Sequence, residues 1–118
     1  MTRILIVEDE PDAAESFALL LGISGHTVCT AGDGLQAIDA ARDFEPDVAI
    51  VDIGLPGIDG YEVARRLRAE PRLERVLLIA LSGYGEDEDK RRARAAGFDH
   101  HLTKPVELEQ VMRLLAPR

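Results

Sequence analysis

Three short stretches of this chain, Ile4-Leu5-Ile6-Val7, Val48-Ala49-Ile50-Val51 and Val76-Leu77-Leu78-Ile79-Ala80-Leu81, are apolar at every position. A strand with one wetted face alternates apolar and polar residues, so an unbroken run this short predicts a strand covered on both faces. Such strands belong to a parallel sheet sandwiched between helices. Each run also ends on polar groups: Glu8-Asp9-Glu10 after the first, Asp52 after the second and Ser82-Gly83 after the third.

The segments between them read as helices and two further strands. Pro11 suits a first helical turn, and Phe17, Leu20, Leu21 and Ser24 follow at helical spacing up to Gly25. A strand is expected over 27–31. Gly32-Asp33-Gly34 opens a helix through Leu35, Ala37, Ile38 and Ala41, and Asp59 is placed to cap the helix carrying Tyr61, Val63, Ala64 and Leu67. Acidic residues 86–89 precede Lys90, Arg91, Arg92 and Arg94, the charge order a helix dipole favours, and Gly97 stops that helix. A fifth strand is expected over 98–102 and a last helix over 106–115. Five strands alternating with five helices give an α/β domain spanning 1–118, with right-handed crossovers placing helices on both faces. The 118 residues, 46% apolar, suit one core.

Composition excludes several functions. A formal charge of −8 repels phosphate backbones and anionic lipid, which argues against direct nucleic-acid binding. Cys29 is alone, so no internal disulfide forms, and its place in a strand predicts a small buried thiol. No apolar run approaches the length of a membrane span and no cleavable signal pattern opens the chain, so a cytoplasmic location is expected.

In open parallel sheets, functional groups gather beyond the carboxyl ends of the strands. Here those ends carry Glu8-Asp9, Asp52, Ser82 and Lys104, whereas the second strand ends in Ala31-Gly32 and suits an edge. Carboxylates drawn that close repel by about 4 kcal/mol per pair at 4 Å with an effective dielectric near 20, so a cation must join them. Mg²⁺, a hard ion that takes oxygen ligands, fits; no Cys/His set has zinc spacing, and the adjacent His100 and His101 do not make one. A metal beside a carboxylate fits phosphoryl transfer, with Asp52 as acceptor, Lys104 as a mobile point charge and the Ser82 hydroxyl as a hydrogen-bond donor.

Taken together, Val7-Glu8-Asp9, Asp52 with Leu55-Pro56-Gly57-Ile58-Asp59-Gly60, Ser82 at the end of the fourth strand and Lys104-Pro105 after the fifth resemble the response-regulator receiver domains of two-component signalling. Asp52-Ile53-Gly54-Leu55-Pro56-Gly57, Gly83-Tyr84-Gly85 and the segment from Phe98 to Leu102 are also similar to receivers of hybrid sensor histidine kinases. The resemblance implies a flavodoxin-like (βα)5 fold with strand order 2-1-3-4-5. It implies Asp52 as phosphoacceptor, Asp9 and Asp52 as metal ligands, Glu8 acting through water and Gly54 contributing its backbone carbonyl. Mg²⁺ is the implied cofactor, with Mn²⁺ an alternative. Ser82 and Lys104 match the switch hydroxyl and the phosphate-binding lysine, and the Lys104-Pro105 peptide is implied to be cis. Gly83 would leave the acceptor open, and Tyr84 reads equally as a residue shaping access or as a plain loop aromatic. The family often holds Tyr or Phe three residues before the lysine; this chain has His101. The implied donor is a histidine kinase or histidine phosphotransfer protein, and the implied partner face is helix 4, strand 5 and helix 5. Such a domain catalyses only its own phosphorylation and dephosphorylation.

Two other classes use similar residues. A hydrolase of the haloacid-dehalogenase type needs a second acid two residues after the nucleophile, where this chain has Gly54. A pseudo-receiver would keep the fold and lose the acid set. Taken singly, Asp59 reads as a cap, His100 as a surface residue, Cys29 as a core thiol and the basic run after Asp89 as a solvated helix face.

Overall fold

A computed structural model describes residues 2–83, 85 and 87–115. Its sheet has five parallel strands in the order β2-β1-β3-β4-β5. The strands are β1 (Arg3–Val7), β2 (Thr27–Ala31), β3 (Val48–Asp52), β4 (Leu77–Ser82) and β5 (His100–Thr103). The helices are α1 (Pro11–Ile23), α2 (Gly34–Phe44), α3 (Gly60–Arg68), α4 (Asp87–Ala96) and α5 (Leu108–Leu115), with a 3-10 turn at Pro71–Leu73 that the sequence did not signal.

The unbroken apolar runs are buried on both faces, as their composition requires. Leu5, Val7, Ala49, Val51, Leu78 and Ala80 pack toward α2, α3 and α4, while Ile4, Ile6, Val48, Ile50, Ile79 and Leu81 pack toward α1 and α5. All five residues of β3 are buried, which makes it the most enclosed strand and fixes Asp52 at its end. Cys29 in β2 is half-buried.

The helices start where local chemistry allows. Asp33 accepts a hydrogen bond from the Gln36 N–H at 2.8 Å and Asp59 one from the Glu62 N–H at 3.0 Å, capping α2 and α3. Pro11 opens α1. β4 runs one residue later than the apolar run, Leu77–Ser82, β5 ends at Thr103, and two starts shift by two residues. β5 starts at His100 rather than 98, because Gly97 (φ 112°) turns the chain and Asp99 bonds Leu78 through its N–H at 2.8 Å and its carboxylate at 2.9 Å; Phe98 fills the core from a loop. α5 starts at Leu108 rather than 106, where the Gln110 side chain accepts the Glu107 N–H at 2.9 Å.

Gly60 sets the closest approach of helix to sheet. A Cβ there would sit 2.7 Å from the Ile53 Cα and 2.8 Å from the Asp52 carbonyl oxygen, both backbone atoms that cannot step aside. At exposed Gly83 a Cβ would meet nothing within 4 Å. Gly60→Ala is therefore expected to lower the unfolding free energy by about 1–3 kcal/mol. Gly83→Ala should leave it within about 0.5 kcal/mol of the parent, and urea denaturation of both variants tests the contrast.

Candidate functional site

The carboxyl ends of β1 and β3 and the segment leaving β5 meet at one edge. β1 delivers Glu8 and Asp9 beside β3 because Val7 pairs with Val51, one residue before Asp52. Asp52 pairs with Leu81 and Ser82 with Thr103, so Ser82 and Lys104 follow at the same level. Loop bonds lock the arrangement: the Ile53 N–H donates to the Leu81 carbonyl at 2.9 Å, and the Lys104 N–H to the Ser82 carbonyl at 2.7 Å.

Asp52 is only 6% exposed, and both its carboxylate oxygens are engaged. Lys104 Nζ donates to Oδ2 at 2.7 Å, and the Gly54 N–H to Oδ1 at 2.9 Å. Lys104 Nζ also lies 3.8 Å from Glu8 Oε2, and the Glu10 N–H donates to Glu8 Oε1 at 3.1 Å. Glu8, Asp9 and Asp52 each offer a carboxylate oxygen within 4.8 Å of the others, with Asp9 exposed toward solvent.

Charge is shared unequally. Burial, followed by a hydrogen bond to Asp52, pushes the Glu8 carboxyl above its usual range. Burial acts on Asp52 in the same sense, yet the bonds from Lys104, Gly54 and Glu8 outweigh it and hold Asp52 below its ordinary value. Burial opposes the Lys104 charge, but its bond to Asp52 prevails and raises its pKa. Lys104 and the Gly54 N–H therefore favour the ionised form of Asp52, while burial beside it disfavours the charge on Glu8. An all-oxygen donor set with this excess of acid suits a hard divalent cation such as Mg²⁺.

Apart from Tyr84, which lies outside the described residues, and His101, which lies within β5 three residues before Lys104, the site residues read from the sequence fall at this edge. Ser82 is buried, 6% exposed, at the end of β4. The Lys104-Pro105 peptide is cis. Gly54 meets Asp52 through its N–H, and a Cβ there would stand 3.6 Å from Asp52 Oδ1. His101 lies on β5 facing α4, half-buried, and neither ring nitrogen has a partner among the described residues. Burial, and then the charge of Lys90, hold its pKa below the usual 6.5. His100, read as a surface residue, is instead half-buried with Nε2 enclosed. The Glu10 N–H that orients Glu8 could not be foreseen, since a backbone donor leaves no mark in side-chain type.

Comparison with known proteins agrees with this geometry. Residues 4–116 match the family model of the response regulator receiver domain. The probable transcriptional regulatory protein TcrX of Mycobacterium tuberculosis is 41% identical over 110 residues, covering 92% of this chain and 46% of that protein. This chain thus spans about half the length of that curated relative. Among solved structures, the chemotaxis protein CheY4 of Vibrio cholerae superposes with a TM-score of 0.92 at 27% identity, covering 98% of this chain and 96% of that one. The receiver domain of sensor histidine kinase PA1611 from Pseudomonas aeruginosa, with a magnesium ion in its active-site cleft, gives 0.87 at 32% identity, covering 97% and 93%. With five parallel strands in the order 2-1-3-4-5 and an acid cluster at their carboxyl edge, this chain belongs to the response regulator receiver domain family of two-component signalling.

Proposed function

We propose that Asp52 accepts a phosphoryl group from a phosphohistidine on a histidine kinase or histidine phosphotransfer protein, and that the modified domain changes shape for a partner. The observation that carries this reading is the buried, ionised Asp52 held between Lys104 and the Gly54 N–H, with Glu8 and Asp9 beside it.

An Asp52 oxygen forms a bond to phosphorus as the P–N bond of the donor breaks, and the released imidazole takes a proton from water. Asp52 needs no base, because its environment already favours the carboxylate. Lys104 exchanges its bond to Asp52 for one to a phosphoryl oxygen, and Ser82 donates its hydroxyl to another. Mg²⁺, or Mn²⁺ in its place, held by Glu8 through water, by Asp9 and Asp52 and by the Gly54 carbonyl, would add positive charge against the phosphoryl oxygens. Gly54 offers no side-chain acid to activate water, which favours a lasting phosphoryl group over rapid hydrolytic turnover. Gly83 leaves space on the donor side.

Movement of Ser82 would pass to β5 and His101 and so to the face formed by α4, β5 and α5. His101, inclined to stay neutral, can serve as an uncharged ring there. Phosphorylation shifts such an equilibrium only by favouring one shape over the other. No helix among the described residues is long and apolar enough to cross a membrane.

With Mg²⁺ and acetyl phosphate the protein should gain one hydroxylamine-sensitive acyl phosphate, and chelation of the metal or Asp52→Asn should abolish it. Labelling that persists in the Asn variant would place the acceptor elsewhere. Removing the lysine in Lys104→Met should slow labelling by roughly 10- to 1000-fold, the scale of losing one charge-stabilising donor.

The ion pair also predicts a pH window for stability. Asp52 has a depressed pKa, so its contribution is complete above its unfolded value of 3.8 and disappears as pH falls through the lower folded value. Lys104 has a raised pKa, so its contribution is complete below 10.5 and disappears as pH rises through the higher folded value. Lys104→Met should therefore cost about 1–2 kcal/mol between those limits, less than a fully buried pair because Lys104 is part-exposed. Urea denaturation at several pH values measures whether the gap to the parent closes at both ends. His101→Phe, which touches no reacting atom, should label at the parental rate in the same acetyl phosphate assay.

A further inference from the structure

The longest stretch of the chain without an Asp, Glu, Lys or Arg runs from Ser16 to Gly32. It covers much of α1, the turn after it and the whole of β2, the last strand on one side of the sheet. The Thr27 N–H donates to the Thr2 carbonyl and the Ala31 carbonyl accepts the Glu8 N–H, so the odd-numbered residues of β2 turn their backbone groups toward β1. By strand alternation Val28 and Thr30 turn theirs outward. At both ends of this edge the chain engages its own donors: the His26 N–H goes to the Leu21 carbonyl at 3.2 Å and the Gly32 N–H to the Gln36 side chain at 3.2 Å. Val28 and Thr30 are thus the residues of β2 that offer another strand a donor and an acceptor together.

Exposed edge strands are ordinarily guarded by Lys, Pro or an inward-pointing charge, and residues 26–32 contain none of these. Apolar side chains flank the edge instead. On the α1 face Leu19, 65% exposed, and Ile23, 75% exposed, line a depression of about 610 Å³ with Ala18, Val28 and Thr30, and Glu15 lies one helical turn beyond Leu19. On the opposite face Cys29 and Ala40 sit half-buried at the rim of the core. The Cys29 thiol lies 4.0 Å from the Thr30 carbonyl oxygen, beside the outward row. A molecule of net charge −8 repels a copy of itself wherever acidic surfaces meet, and this uncharged margin is where that repulsion is least. A strongly charged partner finds no complement there.

We propose that β2 pairs antiparallel with β2 of a second copy of this chain, across a two-fold axis at Cys29. In that register Val28 stands opposite Thr30 of the second copy and Thr30 opposite its Val28, so both outward residues exchange N–H···O bonds. The contact is isologous and closes at two chains. The axis stands perpendicular to the sheet and brings the two α1 helices together on one face. Leu19 and Ile23 of each copy are covered there, while the two Glu15 side chains lie at opposite ends of the junction. The Cys29 pair falls between the hydrogen-bonded pairs, where Cα atoms are about 4.5 Å apart, within the roughly 4.4–6.8 Å that a disulfide spans. Asp52 lies two strands in from β2, clear of the junction, so the pairing stands independently of the function proposed for it.

Sedimentation equilibrium of the reduced full chain over a concentration series tests the pairing. A monomer–dimer equilibrium is expected, tightened by added salt, which screens the repulsion between two acidic copies. Thr30→Lys supplies the missing guard at an exposed side chain and should weaken association by roughly tenfold or more. Thr30→Pro removes the outward N–H without touching the ladder to β1 and should weaken it by a similar factor of about ten. An unchanged urea midpoint, measured at dilutions where the chain is monomeric, shows that each variant is folded. Amide shifts on concentrating the isotope-labelled chain should centre on residues 19–23 and 26–32. With copper phenanthroline and oxygen as oxidant, two Cys29 thiols should give up two electrons and two protons to oxygen and form a linked dimer. Thr30→Lys, which keeps the cysteine, should form it roughly tenfold more slowly. A chain that stays monomeric at millimolar concentration, a dimer indifferent to both variants, shifts centred elsewhere, species larger than a dimer, or a Thr-Val repeat peptide that seats on this edge more tightly than a second copy would each overturn the proposal.

Discussion

The contest among Glu8, Asp9 and Asp52 for a single cation, Lys104, sets the terms for the rest of the site. Like charges about 4 Å apart at an effective dielectric near 20 repel by about 4 kcal/mol, so three acids and one lysine do not balance. The chain meets the imbalance in two ways. Lys104 binds Asp52 at 2.7 Å, and burial beside Asp52 raises the pKa of Glu8. Both responses favour a charged, hydrogen-bonded Asp52, the form that the proposed transfer needs, and both could be displaced by a stronger cation or a phosphoryl group. Lys104, at 40% side-chain exposure, can leave Asp52 without being drawn from a sealed interior.

Such a cluster requires a frame that repulsion cannot spread. β3 supplies it, since every residue is buried and the chain just beyond Asp52 is pinned by bonds from the Ile53 N–H to the Leu81 carbonyl and from the Gly60 N–H to the Ile53 carbonyl. β5 is built differently. It is an edge strand of four residues, with three half-buried and the fourth exposed, and it carries His101 and leads into Lys104. Loosely packed edge elements open more readily than central strands. The sheet thus places the proposed acceptor on its most fixed strand and the residues proposed to move on a looser one.

Much of this was legible in the sequence because a doubly buried strand must be apolar throughout, so the first charge after it marks both its end and the sheet edge. Asp52, Glu8, Ser82 and the parallel sheet follow from that rule, and Asp33 and Asp59 cap helices as their side chains allow. The boundaries that moved did so for tertiary reasons. Phe98 reads as strand because it is apolar, yet Asp99 ties that turn to Leu78 and to Arg68, 31 residues away in sequence. Gly60 reads as an ordinary residue after a cap; only the folded chain brings it against Ile53. His100 and His101 alternate along a strand at the sheet edge, and their half-burial depends on helices packed from both sides.

The basic residues of α4 show the same limit more sharply. In sequence Lys90, Arg91, Arg92 and Arg94 form one solvated run, whereas the fold sorts them by helical position. Arg91 turns to Glu88 and Arg92 lies over the Tyr61 ring, while Lys90 and Arg94 face β5 with no counter-ion among the described residues. His101 lies on the strand that leads to Lys104 and in the wall that Lys90 and Arg94 share, so a shift of β5 at the sheet edge would be felt at α4 through the half-buried ring.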